Sequence, residues 1–291
     1  MNTFTSDKPV AIIGAGVMGS KVAWACARVG LTTRLFDLEQ GKAVASLVTI
    51  RSWSEGEELS ALEHNLSVAD TLDDAVANAQ LAFENVPENL QLKQKVLAEI
   101  SAALPEDCYL GSNTSSLTAT PLANATVRPE QFFCLNFTDP RTDKLVELMA
   151  SEHTAPATEQ FARDWAAAIR MVPVQVKKEQ MGYTFNRLWR VIKKEVLRQI
   201  NEGYSTPQDI DRAFMLCFGT PIGPCGIMDS ASLSTILAVE ESYYKDTGDP
   251  TDEPPKFLRD MVERGDLGVV SGKGFYEYPD PAFQKSDFLN P

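Results

Sequence analysis

From Val10 to Val176 the chain alternates short apolar runs with amphipathic stretches. "VAII" ahead of Gly14 predicts a strand, since a short apolar run closed by a turn residue fits a strand buried on both faces. Residues 20–30 predict a helix capped by Gly30. Residues 32–37, "TTRLFD", predict a second strand. Residues 43–65 are mixed and charged and predict one or two short helices. A short helix opening on Thr71 follows, then a strand at "LAFENV", residues 81–86. Leu92, Val96, Leu97 and Ile100 recur at helical spacing within residues 89–104. Further strands are predicted at 108–113, 131–137, 144–149 and 171–178, with a helix over 158–170. Strands alternating with helices predict a parallel, doubly wound α/β sheet.

Beyond residue 182 the strand signals stop. Residues 186–203 form a long amphipathic helix pattern closing on Gly203. Residues 205–219 open on a cap and a first-turn proline. Residues 229–248 and 254–265 predict two more helices. A boundary therefore falls within 177–182, giving a first domain over 1–180 and an all-α domain over 181–291.

Composition narrows the function classes. The chain has 291 residues, 44% of them hydrophobic, and a formal net charge of −13. That charge argues against nucleic acid or an anionic membrane as the main partner. The five cysteines are irregularly spaced without a C-x-x-C pair, so neither a disulfide framework nor a metal site is expected, and a reducing cytoplasm fits. No run predicts a membrane span or a signal core.

Residues 14–19 read Gly14-Ala15-Gly16-Val17-Met18-Gly19, a G-x-G-x-x-G pattern. It follows a strand and opens a helix, the context in which the pattern marks a dinucleotide site. Gly14 permits the tight turn, Gly16 lets a pyrophosphate approach the backbone, and Gly19 allows close helix–strand packing. Asp37 ends the second strand, where a carboxylate accepts from ribose hydroxyls and repels a 2′-phosphate. No basic residue immediately follows it, so NAD is expected over NADP.

"FENVPENLQLK", "SNTSSL" and "RPEQFFCLNFTDPRTDKLVEL", with "GYTFNRL", "TPQDIDRAFMLCFGTPIGP" and "SGKGFYEY" beyond them, resemble the L-3-hydroxyacyl-CoA dehydrogenase family in order and spacing. The resemblance spans nearly the whole chain. It implies a Rossmann-type NAD-binding domain, a helical substrate domain that forms homodimers, and a small-molecule hydroxyacyl substrate. It also implies cofactor contacts at the glycine loop, Asp37, Glu88, Lys93, Asn113 and Ser115. Ser115 and Asn186 match the polar pair that holds the substrate's oxygens. Glu147 matches the glutamate that orients the family's catalytic histidine. That would explain a carboxylate in the apolar strand "LVELM", where an unpartnered charge is costly.

The histidine itself is replaced. Where the family has L-H-F-F-N-P, this chain reads Leu135-Asn136-Phe137-Thr138-Asp139-Pro140. A carboxamide donates and accepts hydrogen bonds but takes up no proton at neutral pH. Asp139 reads either as a turn residue or as a replacement base. The two histidines, His64 and His153, read as surface residues, with His64 the better outside candidate for the cleft. The segment between Asp37 and Glu84 is shorter than the family's and carries "SWSEGEELSALEHN", acidic where CoA phosphates would meet lysine. Val270 stands where a lysine would reach the cofactor. The expected activity is hydride transfer between C3 of a 3-hydroxyacyl compound and NAD. One alternative is a dehydrogenase of a free or carrier-bound hydroxy acid, with Arg141 as a carboxylate clamp. Another is a non-catalytic NAD-binding structural or sensory protein.

Overall fold

The computed structural model describes residues 4–290, which divide into two compact units, one up to Asn186 and one from Arg187 onward. In the first unit, one sheet of eight strands runs in the order β3-β2-β1-β4-β5-β6-β7-β8. The strands are β1 (Val10–Ile13), β2 (Thr33–Phe36), β3 (Leu66–Val68), β4 (Leu81–Glu84), β5 (Tyr109–Asn113), β6 (Phe132–Phe137), β7 (Leu145–Met149) and β8 (Val172–Val176). Its helices are α1 (Val17–Ala27), α2 (Gln40–Arg51), α3 (Gly56–Asn65), α4 (Leu72–Val76), α5 (Leu90–Ala103), α6 (Ala119–Ala123) and α7 (Pro156–Ala168).

The period-two alternation of the strands builds two cores, one on each face of the sheet. Val10, Ile12, Phe133 and Leu135 join α1 and the Phe161 and Trp165 side of α7. Ala11, Ile13, Phe132 and Cys134 join α4, α5 and α6. A four-residue strand such as β1, buried at every position, therefore reads as a continuous apolar run.

Three expectations change. The sheet is not wholly parallel, because β6 pairs antiparallel with β7. The link from Phe137 to Leu145 is too short for the crossover a parallel neighbour needs; α7 supplies one afterwards, and β8 returns parallel to β7. Helix α1 starts at Val17 and takes Arg28, not Gly30, as its C-cap; Gly30 follows at φ 93°. Leu66–Val68, a short edge strand beside β2, was not anticipated. Its three residues are too few to show a period.

The second unit is helical: α8 (Phe185–Asn201), which starts at the end of the first unit, then α9 (Pro207–Phe218), α10 (Pro224–Ala231), α11 (Leu233–Thr247) and α12 (Lys256–Glu263). The helix predicted over 229–248 is split, since Ser232 takes φ 72° between α10 and α11. Two buried aspartates organise this unit. Asp211 accepts from the backbone N–H of Cys225 and Gly226 and from the Tyr276 hydroxyl, at 2.7, 3.0 and 2.9 Å. Asp229 accepts from the N–H of Phe275 and Tyr276 and from the Tyr278 hydroxyl, at 2.9, 3.0 and 3.0 Å. A Cβ on Gly274 would lie 2.1 Å from the Asp229 carboxylate, so only glycine fits there. The motifs "TPQDIDRAFMLCFGTPIGP" and "SGKGFYEY" thus meet each other, and their acidic and glycine positions hold the fold. Among the described residues, no helix is long and apolar enough to cross a membrane.

Candidate active site

The first unit has a cleft of about 690 Å³, lined at one end by Gly14, Gly16, Val17, Met18 and Asp37 and at the other by Asn113, Ser115, Asn136 and Phe137. It sits beyond the carboxyl ends of the strands, where open α/β sheets bind ligands. Gly14 holds φ 99°, and a Cβ on Gly19 would lie 1.8 Å from the Gly14 carbonyl oxygen. At Gly16 a Cβ would meet nothing within 4 Å, which leaves room for a phosphate. Gly16 is also the N-cap of α1 and supplies no side chain to the helix's opening N–H groups. The donor set and the open space fit a dinucleotide.

Asp37 is tied to this loop. Its Oδ2 accepts from the Ala15 N–H at 2.8 Å and its Oδ1 from the Glu39 N–H at 3.0 Å. Lys42 Nζ lies 3.5 Å from Oδ2 and lines the same cleft. The sequence expectation had no cation beside Asp37. Lys42 comes five positions later, and the first turn of α2 brings it back.

Glu88 also lines the cleft, but as an organiser of the "NTSS" turn. Its Oε1 accepts from the Thr114 hydroxyl, the Ser115 N–H, and the Ser116 N–H and hydroxyl, at 2.7 to 2.9 Å. Burial works to raise its carboxyl. Hydrogen bonds from Thr114 and Ser116, and the Lys93 charge, outweigh burial and hold it below the usual range.

Lys93, expected as a cofactor contact, is placed elsewhere. Its ammonium is fully buried, 2.9 Å from Glu84 Oε1, and donates to the carbonyls of Val86 and Asn113 at 3.1 and 2.8 Å. Those acceptors account for its three protons, and Lys93 is absent from the cleft lining. Glu84 was not singled out from the sequence, yet it takes both Lys93 and the Ser112 hydroxyl, the latter at 2.6 Å. Burial pushes its carboxyl up despite Lys93.

Glu147 is 1% exposed and stands opposite Asn136 in the β6–β7 register. Its Oε2 accepts from Asn136 Nδ2 at 3.0 Å. Its Oε1 accepts from the N–H groups of Thr184 and Phe185 at 2.8 and 2.9 Å. The buried charge is thereby satisfied. Tyr183, at φ 53°, turns the chain so that two successive N–H groups point at one oxygen. An ionised carboxylate only accepts, so it fixes Asn136 with its amide nitrogen inward and leaves Oδ1 as the acceptor toward the cleft.

Asn186 Nδ2 reaches the Ser115 carbonyl at 3.4 Å, which brings those two predicted residues together. Asp139 does not join them. Lys21 Nζ sits 2.6 Å from its Oδ2, and the Arg141 N–H donates to Oδ1 at 3.0 Å. Burial works to raise its carboxyl, but the Lys21 hydrogen bond and charge outweigh this and hold it low, which makes Asp139 a weak base. Lys21 was unanticipated because its partner lies 118 positions away. The Arg141 guanidinium stacks on the Trp53 indole at 4.4 Å. His64 is exposed on α3, and His153 pairs with Asn124 at 2.9 Å. Neither lines the cleft.

Residues 9–180 match the model of the 3-hydroxyacyl-CoA dehydrogenase NAD binding domain, and residues 182–278 match that of the 3-hydroxyacyl-CoA dehydrogenase C-terminal domain. The chain is similar to the probable 3-hydroxybutyryl-CoA dehydrogenase of Bacillus subtilis, 30% identical, with 94% of this chain and 98% of that one covered. It is also similar to the 5-formyl-3-hydroxy-2-methylpyridine 4-carboxylate 5-dehydrogenase of Mesorhizobium japonicum, 30% identical over 92% of this chain and 90% of that one. Among solved structures, the (S)-3-hydroxybutyryl-CoA dehydrogenase of Ralstonia eutropha matches with a TM-score of 0.84 and 30% identity. That match covers 94% of this chain and 99% of that chain.

Proposed function

The chain belongs to the 3-hydroxyacyl-CoA dehydrogenase family, and from that premise we propose that it is an NAD-dependent oxidoreductase interconverting a 3-hydroxyacyl compound and its 3-oxo form. The observation that carries this reading is that one cleft is lined both by the glycine loop with Asp37 and by Asn136 with Ser115. NAD supplies the hydride acceptor when bound. The glycine loop holds its pyrophosphate, and Asp37 faces its adenosine ribose. Ser115, Asn136 and Asn186 hold the substrate oxygens and orient C3.

Proton handling distinguishes this site. Asn136 Oδ1 accepts a hydrogen bond from the C3 hydroxyl without removing its proton. Glu147, which accepts from Asn136 and from the Thr184 and Phe185 N–H groups, holds Asn136 in place. The proton is therefore exchanged with water at the cleft, and turnover is slow relative to relatives that carry a histidine base. The test is NADH oxidation with acetoacetyl-CoA and a panel of 3-oxo acids, paired with NADH binding by nucleotide fluorescence. Binding without any turnover would leave the non-catalytic reading standing.

A second reading, a substrate without CoA, is favoured by Arg141. Its guanidinium is exposed, sits over the Trp53 ring, and forms no ion pair among the described residues, so a substrate carboxylate can take it. The Mesorhizobium relative is named for a pyridine carboxylate without coenzyme A. Efficient acetoacetyl-CoA turnover unaffected by Arg141→Ala would rule this out. We also infer a homodimer through the helical unit. Leu188 and Val191 on α8 and Leu216 and Phe218 on α9 are large apolar residues left exposed; a monomer by light scattering at micromolar concentration contradicts it. A cytoplasmic location accords with five free cysteines, four of them buried.

A further inference from the structure

The ribose end of the cleft carries a charge arrangement that the Asp37 argument does not contain. Asp37 alone would repel a 2′-phosphate, yet three donors face its carboxylate. The N–H groups of Ala15 and Glu39 each hold one oxygen, and Lys42 Nζ stands 3.5 Å from Oδ2. Lys42 is half exposed, with 48% of its side chain open to solvent, and it lines the cleft beside Leu38 and Glu39. Its ammonium is thus free to swing from Asp37 to an added anion without leaving the site. Gly41, next to Lys42, is exposed, and a Cβ there would meet nothing within 4 Å, so the backbone beside Lys42 is uncrowded. Glu39 remains as an opposing charge at this end.

Resting on the reading of the cleft as a nicotinamide-dinucleotide site, we propose that Lys42 sets the cofactor preference. It offsets Asp37 and contacts the ribose 2′-phosphate, so the protein accepts NADP(H) as a second, weaker cofactor. The preference is then a balance of Asp37 and Glu39 against Lys42, and it responds to single charge changes there.

The experiment titrates NADH and NADPH separately into the full chain, followed by nucleotide fluorescence, for the unsubstituted protein, Lys42→Glu and Lys42→Met. The unsubstituted chain is expected to bind NADPH within about 100-fold of NADH. Lys42→Glu should weaken NADPH by about tenfold or more and NADH by less than about threefold, with Lys42→Met between. The NADPH effect should shrink as salt is raised, because the contact is solvent-facing. NADH binding with none for NADPH would overturn the proposal. So would an NADPH affinity indifferent to Lys42→Met and Lys42→Glu, or equal losses for both nucleotides. Failure of the unsubstituted chain to bind either nucleotide would overturn it together with the functional reading, a result separable from loss of NADPH alone.

Discussion

At the glycine-loop end of the cleft, the chain presents backbone: N–H groups at the start of α1 and the open space at Gly16. At the Asn136 end it presents side chains, held by a buried carboxylate that is itself held by backbone. At the first end Gly14 and Gly19 leave no room for a side chain, because there the main chain packs on itself. The second end holds its central residue, Asn136, through a frame built by other residues. Glu147 needs a hydrogen-bond donor opposite it across the β6–β7 pair, and an amide nitrogen meets that need as well as an imidazole N–H would. A buried acceptor thus selects for donors in general, whereas proton transfer selects for a titratable one. The frame and the chemistry separate at this residue.

The comparison can be broken most severely at Gly19. Gly19→Val would put a branched side chain where even a Cβ meets the Gly14 carbonyl at 1.8 Å. We expect loss of NADH binding and a destabilisation of about 3 kcal/mol or more, checked by nucleotide fluorescence and urea unfolding. Unchanged NADH affinity would show that the loop is not the cofactor end.

Asn136→His sharpens the other side. It places a titratable group against Glu147, so turnover of 3-oxoacyl substrates should rise by about 10²-fold or more, with NADH affinity unchanged. The kcat/KM profile should gain an inflection in the histidine range. If a strong native activity is abolished instead, the amide is part of a different mechanism.

Glu147→Gln tests the frame alone. One of its two acceptor oxygens becomes an NH₂ facing a donor, either Asn136 or the Thr184 and Phe185 N–H groups. We expect a loss of about 2 kcal/mol in urea unfolding, with the glycine-loop end still binding NADH. A neutral result would mean that the three hydrogen bonds to Glu147 do not hold the frame.

The smallest effect is at Lys21–Asp139. The Asp139 carboxyl is held below its usual value in the folded chain, so its stabilisation is present above the unfolded carboxylate range and is lost as pH falls through the folded value. Asp139→Asn should remove about 0.2–1 kcal/mol at neutral pH and nothing in strong acid. A larger loss, or one confined to turnover, would give Asp139 a role in the chemistry.

Local pattern carried the element order well. The strands around the glycine loop, the Thr71 and Thr206 caps and the Gly219 stop are all where residue types place them. These depend on neighbours within a few positions, and backbone sterics and capping act over that range. Of the residues the resemblance named, Asp37, Glu88, Asn113, Ser115 and Asn136 line the cleft, and Lys93, Glu147 and Asn186 do not.

What each of those residues does there was decided by partners distant in sequence. Lys93 became a buried tie between β4 and β5 because Glu84 and the Asn113 carbonyl converge on it. Asp139 was drawn to Lys21 on α1. The direction of β7 followed from the length of its link and from pairing that places Asn136 opposite Glu147. A sequence determines which groups can donate, accept or titrate, since that is a property of each side chain. Which donor meets which acceptor is a property of distance, and distance between remote residues exists only once the sheet has closed its register and excluded the water that would otherwise have served as everyone's partner.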